Sequence, residues 1–347
     1  MLVETFVPHS GRHTVNHFKE LQGSPETKSN VWVFELTMLG WLLIFCSALY
    51  TYGVVVAALA AVEAPNADVH SSLNANSDHD KPVDGMEPAP GDATSKPITT
   101  DLHTAENHLR QHAGYWYRYR GLSMALTHRL VKVVLFHIAP LQYTNVFGWF
   151  VYNAVIETLL SNLHVALLHI IISRPSPKRF YQRIPGFSSW IQIAPIAALS
   201  SVATSADFYL PLGLIRLFGK LDGSHPIPMA RGLCEIAIIL ISTALLYFAA
   251  VAPARAIFIR VAASMLPEQD QPIVAFDRTF GGKVVPVVLG GSGKVSISDA
   301  WSSFDWAARV RYLKVLAKVF ALEVVCWFFL IPFVLPMDSA LNIHFIA

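Results

Sequence analysis

The sequence predicts an all-α polytopic membrane protein of about six transmembrane helices, with one disordered acidic loop and one long ordered loop. Three observations carry that fold class. Only 14% of the 347 residues are charged while 53% are hydrophobic, against roughly 25% charged in a soluble domain. The mean hydropathy is +0.44, and the apolar residues gather into runs of membrane length. Polar connections separate the runs, and the basic residues concentrate in alternate connections.

Residues 1–30 read as a soluble N-terminal segment. Its start, MLVETFVPHSGRHTVNHFKE, mixes charges and has no early apolar core, unlike a cleavable signal or a transit peptide. The first transmembrane helix is 31–62, longer than the ~20 residues a span needs. Residues 63–103 form the acidic loop. Between Glu63 and Asp101 stand eight acidic residues against two lysines. With almost no large apolar residue, this stretch cannot offset its chain entropy, and disorder is expected.

Residues 104–251 read as a helical membrane bundle of about four spans. Trp116, Tyr117, Arg118, Tyr119 and Arg120 make an interfacial anchor. The stretch 122–141 is interrupted by His128, Arg129, Lys132 and His137, so it either spans beside a wet interior or lies on the surface. A third span covers 146–173. The fourth, 187–218, is kinked at Pro195 or ends near Pro211, and the fifth covers 233–251. Residues 252–313 form the long loop. It opens with PARAIFIRVAASMLP, expected as an amphipathic interfacial helix. Short apolar runs separated by glycine suit a small β-hairpin or ordered loop. Ser296 and Asp299 resemble a capping box that opens the next helix. The last transmembrane helix is 314–336, and 337–347 is a C-terminal tail.

The connections 63–121, 174–186 and 252–313 hold five, four and seven Lys/Arg. The shortest carries most weight for orientation. It sets these loops in the cytosol, or in the matrix of a mitochondrial inner membrane, with both termini opposite. The organelle stays open between that membrane and an endomembrane.

Several function classes fall away. A net charge of +2 gives no electrostatic case for nucleic acid. Cys46, Cys234 and Cys326 lie in apolar segments, as small buried hydrophobes do. GGSGK at 290–294 has Val288 and Val295 where a phosphate loop needs Gly and Ser/Thr, so it reads as a turn. No metal site and no cofactor are expected. Zinc needs three or four ligands at tight spacing, and Glu157 with His164 supplies two.

Ionisable groups at membrane depth are costly and face a bundle interior or water. At 100° per residue, Glu157 lies about 40° and His164 about 20° from Asn153, one stripe of a continuous helix. Ser200, Thr204 and Asp207 recur on one face of the fourth span. Glu235 and Glu323 add carboxylates in the fifth and sixth. These eight residues are the candidate substrate pathway; the competing reading is hydrogen-bonded glue between helices. Arg174, Lys178, Arg179 and Arg183 form a basic cluster that either binds anionic head groups or sets topology.

The stretches IISRPSPKRFYQRIP (171–185), AASMLPEQDQPIVAFDRTFGGKV (262–284) and DAWSSFDWAARVRYLKVLAKVF (299–320) resemble poorly characterised multi-pass membrane proteins of filamentous fungi. That resemblance brings no known activity. The layout also resembles the mitochondrial carrier family, whose odd spans end in a proline, here Pro175 and Pro253. The family's P-x-[DE]-x-x-[KR] signature is not met, because Arg255 and Phe258, or Pro177 and Phe180, fill its charged positions. The carrier salt-bridge gate is therefore not implied.

The leading functional reading is a transporter or carrier-like protein for a small metabolite, not an enzyme. The alternatives are a membrane accessory protein, binding protein partners through loops 63–121 and 252–313, and a membrane-embedded enzyme acting on a hydrophobic metabolite. The lipid bilayer is the expected surround in all three.

Overall fold

The computed structural model describes residues 25–64, 97–138, 146–221, 229–285, 290–291 and 293–341. Of the acidic loop 63–103, expected to be disordered, residues 65–96 fall outside the described residues, as do 1–24 and 342–347; Glu63, Ala64 and 97–103 are ordered instead, with a 3-10 turn at Ile98–Thr100 and a helix from Leu102.

Among the described residues the chain is helical. The helices are α1 (Pro25–Leu49), α2 (Ala57–Val62), α3 (Leu102–Ala113), α4 (Leu122–Ile138), α5 (Val146–Leu159), α6 (Ser161–Ile172), α7 (Phe187–Leu221), α8 (Met229–Leu246), α9 (Ala252–Ser264), α10 (Ile297–Ser302) and α11 (Trp306–Leu341). A π-helical stretch, Tyr50–Val56, makes α1 and α2 continuous; another, Tyr247–Val251, joins α8 to α9.

Four stretches are long and apolar enough to cross a membrane: Leu36–Val62, Tyr117–Ile138, Phe187–Ile215 and Cys234–Ser264. A fifth is added if Phe147–Leu159 and Ser161–Ile172, bent by 54°, count as one span. The chain is thus an all-α membrane-embedded protein. The expected six spans are not reached among the described residues. The third run is broken, and α11 carries the sixth run into residues whose side chains lie outside the description.

The chain divides into two compact units. One holds residues 1–51 and 318–347. Its described part is two helical ends with outward apolar side chains, Leu36, Leu43 and Ile44 on α1 and Val325 and Phe328 on α11.

The other unit, 52–317, shows its helix directions through named contacts. Arg255 reaches Gly53 O, and Arg260 reaches Ala61 O, so α9 runs parallel to the end of the first helix. His164 stacks on Phe258, and His169 Nε2 bonds Ala262 O, so α6 is parallel to α9 as well. Lys132 meets Glu157 and Tyr152 meets Leu135 O, so α4 is antiparallel to α5. Asn153 bonds Ser205 and Trp190 bonds Thr158 O, which makes α7 antiparallel to α5. Outward-facing residues such as Leu126, Leu130, Val151, Val155 and Leu199 suit lipid rather than water.

The interior is built from α2, α6 and α9. Ala57, Ala58, Ala60 and Ala61 pack beside Ala252, Ala256, Ala262 and Ala263, all buried. Small side chains let helix backbones approach closely where lipid removes the hydrophobic drive between helices.

This corrects the amphipathic surface helix expected after Pro253, because α9 is buried almost all round. The charges that suggested an interface, Arg255 and Arg260, turn inward and donate to backbone carbonyls. Nor does Pro253 end a helix. It lies in the first turn of α9, and the π-helical turn before it absorbs the missing N–H and the ring. Pro195 and Pro211 likewise lie inside α7 without ending it, which membrane helices tolerate.

The described residues of the connections 97–121, 173–186 and 265–305 pack together as a cap. Arg174 N bonds Gln271 O, Ile273 N bonds Ile172 O, His108 bonds Ile273 O, and Ala64 N bonds Ala275 O. Of the two expectations, hairpin or ordered loop, the described residues show the ordered loop; the nearest feature to a strand pair among them is a single bridge, Ser173 to Pro272. Val274, Phe276, Phe280, Val284 and Val295 are buried inward instead of pairing as strands. Asp277 accepts from the Thr279 and Gly281 amides and forces a tight turn there. Ser296 does cap α10, accepting from Asp299 N at 3.1 Å.

Arg260 pins the cap. Its guanidinium donates to Ala61 O, Ala300 O and Ser303 O and lies 4.9 Å from the ring centres of both Phe280 and Phe304. Glu63 is 1% exposed and accepts from the amides of Ile98 (2.6 Å) and Thr99 (3.0 Å) and from the Thr99 hydroxyl. Arg311 donates to its carbonyl at 2.8 Å. Arg120 closes the end of α6, donating to Ile170 O and Ser173 O, as a cation at a helix C-terminus does.

Candidate functional site

The third apolar run breaks at Leu160. That residue leaves the helical conformation (φ −84°, ψ 4°), and the helices on either side meet at 54°. Leu163 N and His164 N both bond Leu160 O, so α6 restarts at once. A broken helix at membrane depth is tolerated only where protein or a polar cavity covers it.

Two candidate residues flank the break. Glu157 lies on the last turn of α5 and His164 on the first turn of α6. α4 supplies their partners: Lys132 Nζ is 2.5 Å from Glu157 Oε1, and His128 Nε2 is 3.3 Å from Oε2. The His128 ring stands 6.0 Å from that of His164, which lies 4.9 Å from Phe258 on α9. The side chains of Glu157, Lys132 and His128 keep only 24%, 19% and 13% of their exposure. A carboxylate and an ammonium so sheltered need their mutual bond, because either ion left alone would cost several kcal/mol.

The continuous stripe expected from Asn153 through His164 is therefore divided. Asn153 turns to α7 and donates to Ser205 at 2.7 Å, while Thr158 meets Ser201 at 3.4 Å. His164 does not bond Glu157; His128 stands beside both. On α7 the buried polar face is Ser201 and Ser205, not Ser200 and Thr204. Thr204 is exposed and bonds back to Ser200 O at 2.8 Å. Asp207 and Glu235 are half-buried on α7 and α8. Glu323 lies on the part of α11 that belongs to the other unit.

Sequence reasoning noticed His128 and Lys132 as interruptions of a span without assigning them a partner. Their i, i+4 spacing on one helix face was the available signal. Ser201 and Ser205 share that spacing, and the buried Ala197 one turn earlier marks their face.

The basic cluster belongs to the cap. Lys178 pairs with the buried Asp270 at 3.4 Å, Arg183 donates to Ser173 Oγ at 2.9 Å, and Arg179 reaches Tyr181 OH at 3.2 Å. Arg174 uses its backbone to bond Gln271, and its side chain is exposed.

No family model, no curated protein and no solved structure matches the chain.

Proposed function

We propose that the protein is a six-pass membrane protein that moves a small polar metabolite through the interior around the broken third helix. One observation carries this reading: a helix interrupted at membrane depth, flanked by a sheltered carboxylate and a sheltered imidazole. Transporters place their sites at such breaks, where helix ends supply donors and acceptors that regular helices keep for themselves. Exchange of the Lys132 or His128 bond to Glu157 for a bond to solute or proton is the coupling step.

The alternating helix directions and the shared cap support the six-pass part. α2, α6 and α9 run toward the cap, while α4, α7 and the opening turns of α11 run from it. Reporters at both termini and within 65–96 and 286–292 test this. Six passes set the termini in one compartment and both loops in the other; termini in opposite compartments would sink it.

For transport, purified protein in liposomes is offered a panel of labelled small metabolites. Uptake that Glu157→Gln reduces at least ~10-fold per folded, reconstituted protein, beyond the destabilisation expected from leaving Lys132 unpaired, supports the pathway. Uptake unaffected by that swap moves the solute path elsewhere.

A membrane accessory role rests on a different observation. The cap is a folded body held by its own arginines; it exposes Tyr115 and Trp116 at 80% and 71%, and Trp306, where α11 leaves it, is 72% exposed. Replacing these three by serine abolishes function under the accessory reading and leaves uptake intact under the transport reading.

A further inference from the structure

Two buried hydroxyls and one half-buried guanidinium lack what their chemistry calls for. Ser161, the first residue of α6, is 2% exposed, and its hydroxyl has no hydrogen-bond partner. Tyr312 on α11 is 1% exposed, and its hydroxyl has none either. Arg255, half-buried on α9, donates to Gly53 O at 2.8 Å and meets no carboxylate among the described residues. Buried hydroxyls are nearly always bonded, and a sheltered guanidinium without a counter-ion is costly.

The packing brings Ser161 and Arg255 to one level. α6 and α9 run side by side with His164 against Phe258 and His169 against Ala262. Carried one turn back, that register sets Ser161 level with Ala254 and Arg255. Arg255 is also within electrostatic range of both His164 and the Tyr312 hydroxyl. Because α6 begins afresh at Ser161, its first N–H groups are end donors carrying the positive end of a helix dipole.

Each of these can donate, and Arg255 adds positive charge, so an anion is a partner that would satisfy all three. Arg255 contributes a single positive charge that no nearby carboxylate cancels, whereas Glu157 is already held by Lys132 and His128. A planar, singly charged group matches one guanidinium fork and two hydroxyl donors better than a phosphate dianion does. We propose that the start of α6, the Ser161 and Tyr312 hydroxyls and the Arg255 guanidinium bind the carboxylate group of a small solute. This names the substrate class of the transport reading and rests on it for passage across the membrane, though not for binding.

The test uses the full chain purified in detergent, with thermal unfolding followed against sodium acetate, sodium chloride or sodium phosphate at matched ionic strength. Acetate is expected to raise the midpoint in a saturable way, and Arg255→Gln is expected to abolish the rise. Ser161→Ala and Tyr312→Phe, which leave shape nearly unchanged, should each weaken the apparent affinity about tenfold. An acetate effect that is absent, or equal in all four proteins, overturns the site. A rise with chloride or phosphate as large as with acetate overturns the carboxylate assignment. Acetate binding without uptake of any carboxylate by proteoliposomes sinks transport and leaves the site standing. Uptake with no acetate binding does the reverse.

Discussion

Arg260 and Arg255 lie five residues apart on α9 and are treated in opposite ways. Arg260 is surrounded: three backbone carbonyls, one hydroxyl and two aromatic faces receive its charge. Arg255 has one carbonyl. The surround of Arg260 is a finished network and the interior at the helix break an unfinished one. A polar network with every member satisfied fixes a structure. One with spare donors in a sheltered place has bonding capacity left for something that arrives from outside.

The contrast is open to direct attack. Arg260→Ala should be the most damaging change, because it orphans Ala61, Ala300 and Ser303 carbonyls inside the cap. The expected cost is about 3–5 kcal/mol, read as loss of monodisperse protein on size exclusion and a collapsed unfolding midpoint. Glu63→Ala should follow at about 2–3 kcal/mol, since the Ile98 and Thr99 amides lose a buried carboxylate acceptor. Arg255→Gln in ligand-free protein should change stability by less than about 1 kcal/mol. A loss as large as that of Arg260 would end the distinction between finished and unfinished regions.

The smallest effect is a pH dependence at the cap. Burial pushes the Glu106 carboxyl up, but hydrogen bonds from Tyr117 and Arg118 outweigh burial and hold it below its ordinary 4.5. A depressed carboxylate contributes stability that is present above its ordinary value and lost as pH falls through the folded one. Unfolding midpoints should therefore decline below about pH 4.5, and Glu106→Gln should flatten part of that decline. An unchanged acid limb in the variant would remove Glu106 from the account.

Much of the layout was legible in the sequence. Apolar runs marked the membrane helices, including 117–138 despite its His, Arg and Lys, and the Ser296 cap followed from its spacing. The burial of α9 was not legible. Arg255 and Arg260 read as surface charge because their acceptors are main-chain carbonyls, which have no signature in side-chain patterning. The break at Leu160 was equally hidden. No proline or glycine stands between Glu157 and His164, so the helix was extended straight through. The angular stripe then counted Asn153, Glu157 and His164 as one face, where the bend and the neighbours α4 and α7 divide them. On α7, Asp207 drew attention to the stripe through Ser200 and Thr204, while the serines one position along were the ones packed inward.

The Glu63 carboxylate has a consequence for how this chain tolerates change. It grips the backbone at Ile98 and Thr99, and Ala64 is tied to Ala275. The two ends of the acidic stretch are thus pinned side by side, and what these bonds hold is the closure itself. The entropy of closing a chain segment rises only with the logarithm of its length, about 0.6 kcal/mol for each doubling. The closing contacts lie at 63–64 and 98–99, so a change in the length between them registers at this junction as a small increment, and loss of the Glu63 carboxylate as a large one.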